Sequence, residues 1–174
     1  MVNAGFLIRF RKKGVVGIRI DFKLNGKDVS ADVPPDLRAL EFLRDWMGLK
    51  SVKEGCSEGE CGACTIVVDG KSVHSCLMLA VELDGKEIIT LEGLVENGIT
   101  FISEAFVEAG AVQCGFCSPG FIMSTYALLL RNRNPTDEEI KRALEGNICR
   151  CTGYVKILDA VKLAAKKAGE RIEI

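Results

Sequence analysis

The chain has 174 residues, 48% apolar and 27% charged, with 23 basic against 24 acidic side chains and a net charge of −1. Such a chain folds as one ordinary domain or two small ones. The balanced charge offers no basic footprint for nucleic acid, and no apolar run reaches the roughly 18 residues of a membrane span.

Residues 1–16 show no clear period. The apolar Met1–Ile8 precedes the basic run Arg9-Phe10-Arg11-Lys12-Lys13, the reverse of secretory-signal order, and no Arg-Arg pair marks twin-arginine export. We read this stretch as an N-terminal extension, either a short arm onto a partner or a frayed tail. With no secretory signal, the eight cysteines are expected as reduced thiols in a cytoplasm rather than as a disulfide scaffold.

Ile18, Ile20, Phe22 and Leu24 alternate with polar residues and predict a half-buried strand. Asn25-Gly26 is a hairpin turn signal, Lys27 to Val33 returns as a second strand, and Pro34-Pro35 stop it. Asp36 is placed to cap a helix with Leu37, Leu40, Leu43 and Met47 on one face, ending at Gly48.

Cys56-Ser57-Glu58-Gly59-Glu60-Cys61-Gly62-Ala63-Cys64 follows, closed by Cys76, with the spacing C-x4-C-x2-C-x11-C. This is the plant-type pattern for a 2Fe–2S cluster held by four thiolates. Three ligands on one loop force the backbone to curl closely around the cluster, and Gly55, Gly59 and Gly62 permit that. The competing reading is a zinc site or disulfides. Zinc sites, however, favour two C-x2-C pairs about 12–20 residues apart, and this stretch has one pair. Glu58, Glu60 and Asp69 are read as solvated loop carboxylates. The single histidine, His74, rules out a Rieske centre within the chain, which needs two. It is either a surface strand residue or a hydrogen-bonding neighbour of Cys76.

Thr65-Ile66-Val67-Val68 is a β-branched strand, Asp69-Gly70 a turn, Lys71 to Ser75 a return strand, and Ile88-Ile89-Thr90-Leu91 a last short strand. After Glu92 the pattern becomes helical. Gly93 to Thr100 reads as a connection. Helices are predicted around Phe101–Phe106, from an N-cap at Ser118 through Phe121–Arg131, over Asp137–Leu144 behind a Thr136/Glu139 capping box, and from Gly153 to Lys167 behind Thr152. Domains of this size are marginal on core burial alone, and metal ligation coupled to folding would help to hold them.

The remaining cysteines are Cys114, Cys117, Cys149 and Cys151, spaced C-x2-C-x31-C-x1-C. A four-cysteine zinc site is one reading, although C-x1-C is less typical of zinc. A second 2Fe–2S cluster is the other. Both pairs precede predicted helix N-termini, whose dipoles and free N–H groups favour added negative charge.

Gln113-Cys114-Gly115-Phe116-Cys117-Ser118-Pro119-Gly120 and Gly146-Asn147-Ile148-Cys149-Arg150-Cys151-Thr152-Gly153-Tyr154 resemble the signatures of the iron–sulfur subunit of molybdenum hydroxylases, the xanthine oxidase, aldehyde oxidoreductase and carbon monoxide dehydrogenase family. The first cysteine loop with Cys64-Thr65-Ile66 matches as well. The resemblance covers about residues 18–165 and uses all eight cysteines in order. It departs at Ser118, where threonine is common, and in having no histidine in the segment just before Phe106.

The resemblance implies an α+β chain: residues 17–92 as a β-grasp, plant-type ferredoxin-like domain and residues 93–170 as a four-helix 2Fe–2S-binding domain, after an extension over 1–16. It implies two 2Fe–2S clusters, on Cys56, Cys61, Cys64 and Cys76 and on Cys114, Cys117, Cys149 and Cys151. It places Gln113 in contact with a pterin cofactor and Cys151 near it. Molybdopterin, in its dinucleotide form, and FAD are implied in partner subunits. The chain would then join a molybdenum-cofactor large subunit and an FAD medium subunit in a heterotrimer or a dimer of heterotrimers, passing electrons from the pterin through the second cluster, then the first, to the flavin. A free ferredoxin-like carrier would leave the helical half and the Gln113 motif without a purpose, and a zinc-stabilised binding module is the third class weighed. No catalytic base or nucleophile is identified, so the substrate would be chosen in another subunit.

Overall fold

The computed structural model describes residues 8–10 and 17–171. The alternating segment forms β2 (Ile18–Leu24), which turns through Asn25-Gly26 into β3 (Lys27–Val33). The two turn residues have φ of 53° and 79°, the left-handed pair that a two-residue hairpin requires. Asp69-Gly70, at 48° and 77°, joins β4 (Thr65–Val68) to β5 (Lys71–His74) in the same way. β6 (Glu87–Ile89) pairs parallel to β2 and antiparallel to β4.

The extension contributes more than a tail. Ile8–Phe10 forms β1, parallel to β3 and in register Ile8 to Val29 and Phe10 to Ala31. Among the described residues the sheet therefore has six strands in the order β1-β3-β2-β6-β4-β5. The rest of the expected extension lies outside the described residues.

The predicted first helix starts later than Asp36. α1 (Ala39–Glu41) begins after Arg38 and widens into a π-helical turn over Phe42–Trp46. The cause is pairing with the chain 40 residues on: Ala39 N–H donates to Met78 O, Ala80 N–H to Leu37 O, and Arg38 bridges Leu79. Residues 37–39 are thus tied in an extended ladder, and the helix begins only beyond it. Ser75–Leu77 and Ala80–Leu83 form short 3₁₀ turns, so the return strand ends at His74 rather than at the expected Ser75.

Five helices follow. α2 (Leu91–Glu96) takes the first half of the segment expected as a connection and also Leu91, expected in the last strand; that strand ends at Ile89. α3 (Phe101–Glu108), α4 (Ser118–Arg131), α5 (Asp137–Leu144) and α6 (Val155–Arg171) are the predicted four. Cys117 rather than Ser118 is the N-cap of α4, so Pro119 falls at the second helical position, where its missing N–H costs nothing. α6 begins at Val155 rather than Gly153, because Gly153 and Tyr154 are left-handed, at φ 68° and 70°. The Thr136/Glu139 capping box is formed as expected.

Two cores result. One packs the sheet against α1, around Ile20, Phe22, Leu40, Phe42, Leu43, Ile66 and Leu83. The other packs α3, α4 and α6, around Phe106, Phe121, Met123, Ile157 and Val161. β4 belongs to both: Ile66 and Val68 face the sheet core, while Val67 joins the helical core. Its continuous apolar run is what a strand covered on both faces needs.

Candidate functional site

All eight cysteines are free thiols, and they gather in two sets. The first is built on the loop between α1 and β4, with Cys76 supplied by the 3₁₀ turn after β5. The loop is shaped by backbone that only glycine takes easily. Gly59 and Gly62 have φ of 80° and 67°, and a Cβ on Gly55 would lie 2.7 Å from Cys61 Sγ. Main-chain donors of the same loop point at sulfur. The N–H groups of Glu58 and Cys61 each lie 3.4 Å from Cys56 Sγ, and they lower the Cys56 pKa to about 7. Burial instead pushes Cys64, beside Cys76, up to about 11. The thiols interact in two pairs, Cys56 with Cys61 and Cys64 with Cys76.

The loop is braced from its own half. Arg38 donates to Glu41 Oε1 at 2.8 Å and to Glu54 Oε1 at 2.9 Å, and Ser57 Oγ donates to Glu54 at 2.6 Å. The Ser57 hydroxyl, followed by Arg38, holds the Glu54 carboxyl below its usual range. Glu58 and Glu60 are exposed. His74 does make a hydrogen bond to the loop: its Nδ1 lies 2.7 Å from Gly59 O. A carbonyl can only accept, so Nδ1 carries the proton.

The second set combines the α3–α4 turn with the segment before α6. Cys114 and Cys151 are exposed, Cys117 is half-buried and Cys149 is buried. The sulfurs of Cys114 and Cys151 lie 3.7 Å apart. That is far beyond a disulfide bond. It is the separation of two thiolates on one tetrahedral metal, roughly 3.8 Å for metal–sulfur bonds of about 2.3 Å. Cys149 Sγ accepts from Thr152 Oγ1 at 3.1 Å and from Thr152 N–H at 3.5 Å. Burial alone would raise the Cys149 pKa, yet these bonds hold it below the ordinary thiol value. Burial pushes Cys117, beside Cys149, up to about 12. The Phe116 N–H, then the Cys151 thiol, lowers Cys114. Tyr154 OH accepts from the Cys149 N–H at 3.1 Å while its ring packs on Phe121 at 6.4 Å between centroids.

Gln113 is exposed beside Cys114, and Val112, Phe116, Ile148, Tyr154 and Val155 are exposed apolar side chains on the two segments that carry this set. The two sets also meet each other. Ile148 N–H donates to Cys61 O at 3.0 Å, and Asn147 donates to Gly62 O at 3.1 Å. Lys53 Nζ stands 5.3 Å from the centre of the Phe116 ring, a cation–π contact between the two cysteine segments.

The donor set fits iron–sulfur ligation on both sides: free sulfurs in pairs, main-chain donors aimed at sulfur, and a loop too tight for a Cβ at Gly55. Sequence reasoning missed Thr152 as a sulfur donor, having given it only a helix-capping role, and missed Asn147 and Ile148 as the link between the sets. Thr152 was detectable as a hydroxyl one residue past Cys151. The Asn147 link depends on tertiary contact with residues more than 80 positions away.

Family models agree with this geometry. One for a 2Fe-2S iron-sulfur cluster binding domain matches residues 22–94, and one for a 2Fe-2S binding domain matches residues 90–162. The chain is 53% identical over 151 residues to the nicotinate dehydrogenase small FeS subunit of Eubacterium barkeri, covering 86% of this chain and 96% of that one. It is 48% identical to the xanthine dehydrogenase iron-sulfur-binding subunit of Escherichia coli O157:H7, over 83% and 92% of the two chains. Among solved structures, it superposes on quinoline 2-oxidoreductase from Pseudomonas putida 86 with a TM-score of 0.82 and 37% identity, over 90% and 98% of the chains. The aldehyde oxidoreductase of Desulfovibrio gigas gives 0.83 and 39%, over 88% of this chain and 18% of that longer one. The family's molybdopterin and FAD reside in other subunits, so this chain is a non-catalytic part of an oxidoreductase. The chain belongs to the family of iron–sulfur subunits of molybdenum hydroxylases.

Proposed function

We propose that Cys56, Cys61, Cys64 and Cys76 hold one 2Fe–2S cluster, that Cys114, Cys117, Cys149 and Cys151 hold the other, and that the chain relays electrons from a molybdopterin to an FAD carried by partner subunits. Residues 17–92 and 93–170 are the two cluster domains in this reading. The observation that carries it is the 3.7 Å approach of the Cys114 and Cys151 sulfurs, together with the donors aimed at Cys56 and Cys149, since each iron of a binuclear cluster takes two thiolates beside the bridging sulfides.

The direction follows from where the sets open. The second set exposes Cys114 and Cys151 next to Gln113, on segments that also expose Phe116, Ile148 and Tyr154. Exposed apolar area of this kind is a docking surface, and we assign it to the molybdenum subunit, with Gln113 touching the pterin and Cys151 near it. The first set opens at its Cys56 end, among exposed Glu54, Glu58 and Glu60, and we assign that face to the flavin subunit. The assembly is a heterotrimer, or a dimer of heterotrimers, in the cytoplasm; among the described residues no helix is long and apolar enough to cross a membrane.

The test is Cys56→Ser in the assembled complex. Substrate should still reduce the second cluster, followed by rapid-freeze electron paramagnetic resonance, while flavin reduction slows greatly. Flavin reduction at the wild-type rate, or loss of second-cluster reduction in an intact complex, would overturn the order. Elemental analysis of the wild-type complex should give about four irons and four labile sulfides per copy of this chain, and stoichiometric zinc would overturn the cluster assignment.

A further inference from the structure

A buried polar bridge joins the two cysteine sets, and neither sulfur ligation nor docking uses it. Asn147 is 4% exposed. Its Oδ1 accepts from Ser124 Oγ of α4 at 2.7 Å, and its Nδ2 donates to Gly62 O at 3.1 Å and to Thr65 Oγ1 at 3.3 Å. Gly62 lies between Cys61 and Cys64, and Asn147 lies two residues before Cys149. One amide thus clamps the first cysteine loop, the second cysteine segment and the helix that Cys117 caps.

The surroundings leave little play. A Cβ on Gly120 would fall 2.2 Å from Gly62 O, and one on Gly62 would fall 2.3 Å from both Gly146 O and Asn147 Nδ2. The backbones of the two halves therefore touch without side chains between them. Beside this clamp, the Ile148 N–H bond to Cys61 O makes a short covalent and hydrogen-bonded route from one ligand residue to the neighbour of another. Apolar packing alone would tolerate sliding. A buried amide whose groups are paired in one arrangement does not, because any slip leaves polar groups unpaired, and a buried asparagine sets register in this way in other folds.

We propose that Asn147 is a positioning residue that fixes the separation and orientation of the two clusters and so sets the rate of electron transfer between them. This rests on the two-cluster reading above. The step moves one electron, oxidising one cluster and reducing the other by one unit, with no proton transferred. Because tunnelling falls steeply with distance and dipolar coupling with its cube, both rate and magnetic interaction report the clamp.

The experiment compares the wild-type complex with Asn147→Ala and Ser124→Ala, using iron content, the resonance signal of each cluster, the spin–spin splitting in fully reduced enzyme, the midpoint potentials, and equilibration between clusters after flash photoreduction. Asn147→Ala should retain both clusters and their potentials, lose part of the splitting, and equilibrate severalfold more slowly. Ser124→Ala, which leaves the amide bonded to Gly62 and Thr65 but removes its tie to α4, should change both in the same direction by less, and it carries the test alone if Asn147→Ala does not assemble. Wild-type splitting and rate in both variants would overturn the proposal. So would a slower rate explained by shifted potentials with unchanged splitting, or loss of a cluster signal, which would make Asn147 an assembly residue. A wild-type complex lacking two cluster signals would instead refute the underlying reading.

Discussion

The two cysteine sets solve the same problem by different means. The first draws three thiols from nine consecutive residues and shapes them with glycines, so its geometry is largely local. Its sulfur donors are main-chain N–H groups. The second joins segments separated by 31 residues and uses the turn into α4 and the left-handed approach to α6 to present its sulfurs. Its most direct donor to sulfur is a side chain, the Thr152 hydroxyl. The first site depends on loop shape, whereas the second depends on helix packing and on replaceable side chains.

The largest expected effect separates the two cores. Phe121 is 1% exposed in the helical core and carries the Tyr154 ring; Phe42 is fully buried in the sheet core against Phe22 and Trp46, at 5.9 and 6.0 Å between centroids. Truncation of either to alanine should cost about 3–5 kcal/mol. Phe121→Ala should release the second cluster at lower denaturant than the first, and Phe42→Ala the reverse. Denaturant titrations following the two resonance signals would show this. Simultaneous loss in both variants would mean that β4, which enters both cores, makes the halves one cooperative unit.

A smaller effect tests the donors. Thr152→Val keeps the shape but removes the hydroxyl 3.1 Å from Cys149 Sγ. Hydrogen bonds to cluster sulfur stabilise the reduced, more negative form. The midpoint potential of the second cluster should therefore fall, by about 20–60 mV if the bond contributes about 0.5–1.5 kcal/mol, and the first should not move. In metal-free protein the same variant should raise the Cys149 pKa, so alkylation of that thiol shifts to higher pH. Redox titration and mass-spectrometric alkylation profiles check the two halves of the claim. No equivalent substitution exists at Cys56, because its donors are backbone.

What was legible in the sequence follows the same division. The Asn25-Gly26 and Asp69-Gly70 turns and the Thr136/Glu139 box are short-range features, and each formed as read. The late start of α1 was not legible, since it is imposed by pairing with residues 78–80. α2 was hidden because Leu91–Glu96 is too short to show a helical period. β1 escaped because Ile8–Phe10 has only three residues, held by the parallel edge of β3. The clamp at Asn147 was missed for a related reason: next to Gly146 it resembles an ordinary helix terminator, and its partners lie in another part of the chain.

The smallest expected effect lies at the seam between the halves. Glu92, at the start of α2, accepts from Ser51 N–H at 2.8 Å, from Ser51 Oγ and from Thr90 Oγ1 at 2.9 Å. Thr90 in turn donates its N–H to Asn25 Oδ1 at 2.9 Å. The carboxylate therefore ties the loop ahead of the first cysteines to the linker and, through Thr90, to the β2–β3 turn. Burial opposes its charge, but the Ser51 and Thr90 donors outweigh that, and its pKa lies below the usual glutamate value. The sign follows directly. A carboxyl with a depressed folded pKa contributes stability above its unfolded pKa of about 4.3, and that contribution is lost as the pH falls through the folded value. Glu92→Gln should thus lower the melting temperature at neutral pH, and the gap from wild type should close on acidification below about pH 4. Calorimetry of both proteins across that range would measure it; a gap that stays constant with pH would assign the Glu92 contribution to shape rather than charge.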